Sequence, residues 1–227
     1  MSAKMVRLQG VSKKYAAERF ALKNVTFDLH RGEFAYVTGM NGAGKSTLLK
    51  LLFAVEKASE GTILVNNRDL SVLAKGKVFQ YRREVGFVFQ DFKLLPDLSI
   101  FDNVSLPLEI RRMTPREVEF KVKGVLALVG LGDRAKDFPS NLSGGEQQRI
   151  AIARSIIGKP SLLLADEPTG NLDNQTARDI MGLFREINEM GTTVVIATHD
   201  EGLMEDYPAR VIELRGGRIA SDRSGNA

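Results

Sequence analysis

The stretch Gly39-Met40-Asn41-Gly42-Ala43-Gly44-Lys45-Ser46 fits the spacing G-x-x-x-x-G-K-[ST] of a phosphate-binding loop. Glycines at 39, 42 and 44 let the backbone approach a ligand closely, so that successive N–H groups converge on phosphate oxygens. Lys45 reaches β- and γ-phosphates, and the Ser46 hydroxyl suits Mg²⁺. Asp166 and Glu167 follow the apolar run Leu162-Leu163-Leu164-Ala165. Carboxylates at the C-terminal end of a buried strand lie where open α/β sheets bind ligands. Asp166 suits Mg²⁺ or its water shell, and Glu167 suits the orientation and deprotonation of an attacking water. His199, one of two histidines, ends another apolar run at the same sheet edge and is placed to reach a γ-phosphate or that water, with Asp200 as a candidate to orient it. His30, near a turn on an alternating strand, lacks such a setting. Gln90 ends a strand, where its amide can touch metal or water. Ser143-Gly144-Gly145-Glu146 reads as a capping box opening a helix, whose bare N-terminal backbone is a second anion site.

Several elements must hold these groups in place. Glu33–Thr38 reads as a strand entering the loop, and Thr47–Leu52 as a buried helix leaving it. Val6 and Leu8, and likewise Val25, Phe27 and Leu29, alternate with polar neighbours, which predicts short antiparallel strands. Gly61–Val65 and Val85–Phe89 are further strands. From Phe92 to about Asn141 the pattern is mainly helical. Ile100, Val104 and Leu108 share a face, Pro107 is expected to end or bend that helix, and Thr114-Pro115-Arg116-Glu117 starts the next one. Val118, Val122, Val125, Leu126 and Val129 continue it as an apolar stripe, and Phe138–Asn141 breaks it. Afterwards helix and strand alternate: strands at 161–165 and 192–198, a helix through Ile180, Leu183, Phe184 and Ile187, and a hairpin turning at Gly216-Gly217.

The composition excludes some chemistries. No cysteine is present, so disulfides and thiolate metal sites are ruled out. No apolar run approaches the roughly 18 residues that span a bilayer, and Met1–Met5 lacks the apolar core of a signal peptide, so a cytoplasmic protein is expected. The net charge is +4, with Lys13-Lys14, Arg82-Arg83 and Arg111-Arg112 as scattered pairs rather than a stripe. Nucleic-acid binding has no motif behind it.

Together these motifs resemble the nucleotide-binding subunit of ATP-binding cassette (ABC) proteins over essentially the whole length. That resemblance implies a P-loop NTPase α/β fold: one domain over 1–227 with an N-terminal antiparallel β-subdomain, a parallel-sheet core and a helical subdomain inserted at about 92–141. It identifies Gln90 as the Q-loop residue, Leu142–Gln147 as the signature, Gly170-Asn171-Leu172-Asp173 as the D-loop and His199 as the switch histidine. Tyr15 matches the aromatic that stacks on adenine. The nucleotide set is then Tyr15, Gly39, Met40, Asn41, Gly42, Ala43, Gly44, Lys45, Ser46, Thr47 and Gln90. Ser46, Gln90 and Asp166 attend Mg²⁺, and Lys45, Glu167 and His199 act in hydrolysis. The resemblance also implies a head-to-tail homodimer, in which Ser143, Gly144, Gly145 and Glu146 face the partner's ATP, and membrane partners docked near Gln90 and the helical insertion.

Ala165–Asp173 resembles a branch containing lipoprotein-release and macrolide-export ATPases and bacterial cell-division ATPases. Val88–Asp97, Ala197–Asp200 and the short C-terminal end resemble the cell-division members, although Asn41 stands where those often carry serine. This implies a peripheral subunit on the cytoplasmic face of the inner membrane at the division septum, working with an integral membrane protein and division-ring proteins. A transporter ATPase of the same branch is the alternative. A DNA-repair ABC ATPase would need a long coiled coil between loop and signature, but only 97 positions (143 − 46) separate Ser46 from Ser143. A ribosomal factor would need two cassettes.

Overall fold

The computed structural model describes residues 3–16 and 19–224. Met1 and Ser2, part of the stretch read for a signal, and the last three residues of the C-terminal end lie outside them. The chain opens with a hairpin, β1 (Lys4–Ala16) against β2 (Arg19–His30). Val6, Leu8, Val25, Phe27 and Leu29 are all buried, as their alternation predicts. The strands are long rather than short, at 13 and 12 residues, because register shifts let the pair bend and continue past each irregularity. β4 (Glu60–Val65) and β5 (Arg68–Asp69) complete an antiparallel sheet in the order β2-β1-β4-β5. Asn66 and Asn67, both left-handed, make the turn between these last two strands.

The second sheet holds β3 (Phe34–Thr38), β6 (Val85–Val88), β7 (Leu162–Asp166), β8 (Thr193–Ala197), β9 (Arg210–Arg215) and β10 (Arg218–Arg223), in the order β10-β9-β3-β8-β7-β6. All neighbours are parallel except β9 and β10, which form the hairpin at Gly216-Gly217. Successive side chains point to opposite faces. Phe34, Tyr36, Leu163, Val194 and Ile196 therefore join one core, and Ala35, Val37, Leu162, Leu164 and Val195 join the other. The second core also takes the first sheet's Leu8 and Leu29 and, from α1 (Lys45–Leu52), Leu48, Leu49 and Leu52.

The first core is covered by α3 (Ile100–Glu109), α4 (Pro115–Leu128), α5 (Gly144–Ile156) and α6 (Asn174–Glu189). Ile100, Val104 and Leu108 are buried along α3, which runs two residues past Pro107 instead of ending there. Burial of that face outweighs the lost N–H. The Thr114–Glu117 capping box is formed, and Val118, Val122 and Leu126 are buried behind it. Two short helices escape the sequence reading: α2 (Val78–Arg82) and α7 (Glu201–Asp206), each about one turn long and without a readable period.

Candidate active site

The loop between β3 and α1 is lodged between the two sheets. A Cβ at Gly39 (φ 138°) would lie 2.2 Å from the Leu214 carbonyl oxygen, and one at Gly44 (φ 112°) would lie 2.7 Å from that of Ala21. No side chain fits at either position. Gly44 is the residue before α1, so the exposed N–H groups of the helix open directly off the loop. Lys45 is buried; its Nζ donates to Gly39 O at 2.7 Å and stands 3.3 Å from Glu167 Oε1. Ser46 Oγ donates to Asp166 Oδ1 at 3.0 Å. Burial pushes the Asp166 carboxyl above its ordinary range, opposed by the Ser46 hydrogen bond and reinforced by the Glu167 charge.

β7 and β8 run in parallel register with Asp166 opposite Ala197. Glu167 and His199 thus leave neighbouring strands at one edge. His199 Nδ1 lies 3.0 Å from both Glu167 carboxylate oxygens. Glu167 is left-handed (φ 48°) without being glycine and directly precedes a proline; such backbone costs on the order of 1–3 kcal/mol. Its own N–H donates to Ala197 O at 2.9 Å, which holds the carboxylate in place. Asp200 does not take the expected part beside His199. Its Oδ1 accepts from Leu203 N as the cap of α7, and Glu167 is the carboxylate that meets the imidazole.

Gln90 follows β6, whose Val88 pairs with Ala165, and so comes level with the carboxylate edge. Its Nε2 approaches Gly170, at 3.9 Å from where a Cβ there would stand. Tyr15 is 54% exposed, near the end of the β1–β2 hairpin. In that hairpin Lys13 pairs with Leu22, whose side chain abuts Gly44, and Lys13 Nζ lies 4.9 Å from the Tyr15 ring centroid. His30, at the far end of β2, belongs to the other end of β3.

Ser143 caps α5, accepting from Glu146 N, while the Glu146 carboxylate returns to the Ser143 N–H at 2.8 Å. Ser143 and Gly144 are exposed. The contacts of this segment run to Leu172 and Thr176, with a Gly145 Cβ position 2.5 Å from Thr176 Cγ2, and to Arg134, which pairs with Glu146. Asp173 caps α6 through Gln175 N and Thr176 N. Signature and the later D-loop residues therefore pack on one another within the chain, while Gly170, at the start of the D-loop, donates its N–H to Glu167 O at 3.2 Å.

One residue near the site was not legible. Arg154, near the end of α5, donates to Lys93 O at 2.7 Å and to Phe92 O at 2.8 Å. Phe92 and Lys93 are both left-handed, two and three residues after Gln90. In the sequence Arg154 reads as an ordinary helix-surface cation, and neither left-handed residue is a glycine that would have announced the bend.

The ABC transporter family profile matches residues 22–170. The chain belongs to the ABC transporter family. The cell division ATP-binding protein FtsE of Bacillus subtilis (strain 168) is 45% identical over 220 residues, covering 97% of this chain and 96% of that protein. FtsE of Escherichia coli (strain K12) is 46% identical over 215 residues, covering 95% and 97%. The ATP-binding cassette MJ0796, solved as a dimer in a post-hydrolysis state with ADP and Pi, superposes with a TM-score of 0.90 at 36% identity, covering 98% of this chain and all of that one. Tyr15, Asp173 and His199 fall outside the family profile. The 220-residue match leaves only seven residues of this ABC cassette uncovered (227 − 220) and so reaches them.

Proposed function

We propose that this ABC ATPase is the ATP-binding and ATP-hydrolysing subunit of an FtsEX-like membrane complex in bacterial cell division. In this reading ATP-driven dimerisation acts on an FtsX-like integral membrane protein and thereby on cell-wall hydrolases outside. The whole chain is one cassette, with residues 92–141 as its helical insertion. It sits on the cytoplasmic face of the inner membrane at the septum, with division-ring proteins near by. The chemistry rests on the convergence of Lys45, Ser46, Asp166, Glu167 and His199 at one sheet edge. The biological assignment rests on near full-length similarity to FtsE proteins at 42–46% identity.

The loop N–H groups, Lys45 and the α1 N-terminus hold the phosphates, and Tyr15 stacks on the adenine. Ser46 Oγ and Asp166 Oδ1, 3.0 Å apart, are hard oxygen donors of the kind Mg²⁺ takes alongside substrate phosphates, and Gln90 adds its amide oxygen. Mg²⁺, when bound, neutralises charge developing on the phosphates. Glu167 accepts a proton from the attacking water. His199 orients Glu167 and meets the γ-phosphate. The pairing of Lys45 with Glu167 gives way to the phosphates, which frees the carboxylate for the water. The exposed Ser143-Gly144-Gly145 turn closes over the γ-phosphate held by a second copy of the chain.

Glu167→Gln tests this. It should bind ATP, lose nearly all hydrolysis and accumulate as a dimer in size-exclusion chromatography with ATP; wild-type turnover would remove Glu167 from its role. A pull-down from native membranes tests the assignment to division. An FtsX-like protein is expected, whereas a permease with a large periplasmic domain would place the chain with the exporters.

A further inference from the structure

Arg82-Arg83 and Arg111-Arg112 are far apart in sequence, but the fold brings Arg83 and Arg111 to one cavity of about 650 Å³, with Lys159, Gln80, Glu84 and Ser161 also on its wall. Glu84 and Ser161 immediately precede β6 and β7, so the cavity lies at the opposite ends of these strands from Glu167.

Its charge is held in place and only partly offset, by Glu84. Arg111 Nη1 donates to Gly158 O at 3.0 Å, and Arg83 Nη2 donates to Ile110 O at 3.1 Å; both acceptors are neutral carbonyls. Arg111 Nε is buried with no partner. The lining carboxylate, Glu84, is paired outward with Arg68 at 3.0 Å. Among the described residues no carboxylate forms an ion pair with Arg83, Arg111 or Lys159. Burial first, and then the Arg83 charge, lower the Arg111 pKa, and the Glu84 charge opposes them in part; a bound anion would add its own charge to that opposition.

The rim is apolar. Phe79 is 53% exposed, with the Arg83 guanidinium 5.3 Å from its ring centroid, and Ile110 is 58% exposed beside Arg111. The segment leading into the cavity, Ser71–Arg83, carries Lys75, Lys77, Arg82 and Arg83 and no acid, and it also exposes Val72. Cations interleaved with exposed apolar side chains are the composition that settles into the headgroup region of an anionic bilayer. A soluble phosphate would use the cations but not Phe79, Ile110 or Val72.

We propose that this cavity and its rim bind the phosphate headgroup of an anionic phospholipid, seating this edge of the cassette on the membrane surface. The site rests on the geometry of this face, independently of the nucleotide assignment. The test is flotation of the full chain with vesicles of phosphatidylcholine, with and without phosphatidylglycerol. Binding is expected only with the anionic lipid and should weaken with salt. Arg83→Gln combined with Lys159→Asn, asparagine being suited to the left-handed backbone at 159, should lower partitioning about 25-fold, at about fivefold per cation. Phe79→Ser should also weaken it, and Arg83→Lys should retain most of it. ATP turnover of the free subunit and its melting temperature serve as controls for folding. Equal partitioning of wild type and the double variant, or equal binding to neutral vesicles, would overturn the proposal. So would saturable binding of glycerol phosphate that ignores Phe79→Ser, which marks a soluble ligand. Retention on an Asp/Glu-rich peptide without vesicle binding would assign the face to an acidic protein instead.

Discussion

At the scale of single residues, the hydrolytic edge depends also on backbone held by neighbours that do no chemistry. Arg154 is the clearest case. Its two hydrogen bonds fix Phe92 and Lys93, and through them the bend that follows Gln90. Arg154→Ala leaves two carbonyls without their cationic donor and should cost about 2–4 kcal/mol of stability, read by denaturant unfolding. Arg154→Lys, with one ammonium in place of a fork, should recover only part of the loss. His199→Ala removes the imidazole on Glu167 and should depress turnover while leaving ATP affinity within a few fold, checked by nucleotide titration beside a phosphate-release assay. The phosphate loop, the two carboxylates and His199 were legible because their residue types fix their chemistry. The left-handed backbone of Glu167, Phe92 and Lys93 was not, since tertiary contacts rather than glycine impose it. Asp200 misled for a related reason: next to a histidine, a helix cap and an orienting carboxylate read the same.

At the scale of elements, the helix α5 joins two regions. Its capped start carries the exposed Ser143–Gly144 turn, and its last turns hold the residues after Gln90. Thirteen residues at about 1.5 Å each make a rod of roughly 20 Å. Ser143→Ala removes the cap and should cost about 1 kcal/mol. The Ser143 backbone N–H and hydroxyl hold the Glu146 carboxyl below its ordinary range. The capping contribution is therefore present above the unfolded-state pKa and is lost as pH falls through the lower folded value; in Glu146→Gln this acid dependence should shrink in a melting series. Gly145→Val pushes against Thr176 and should part the starts of α5 and α6. ATP binding to the phosphate loop is expected to survive and hydrolysis to fall. Such effects escape a sequence reading, which saw the glycines as room for a ligand and not as the seat of a neighbouring helix. The long hairpin was understated for a similar reason: bulges interrupt the alternation that marks a strand, so one bent strand reads as several.

At the scale of the whole molecule, the parallel sheet sends alternate residues into two cores, and the site forms where its strands end. If the working unit is the dimer, isolated subunits should hydrolyse ATP slowly, with a rate that rises more than linearly with concentration. Addition of the FtsX-like protein in nanodiscs should raise it further, and equal rates with and without that protein would count against coupling. The way the loop is lodged between the sheets also bears on how the chain is made. Gly39 rests on Leu214 and Gly44 on Ala21, so the motif finds one of its supports only after some 170 further residues have been synthesised. A nascent chain stopped before Arg210 would carry every residue of Gly39–Ser46 and still lack a formed phosphate cradle. Acquisition of nucleotide binding should therefore be among the last events of folding, reported by the delay between the gain of secondary structure and the gain of a fluorescent ATP analogue's signal.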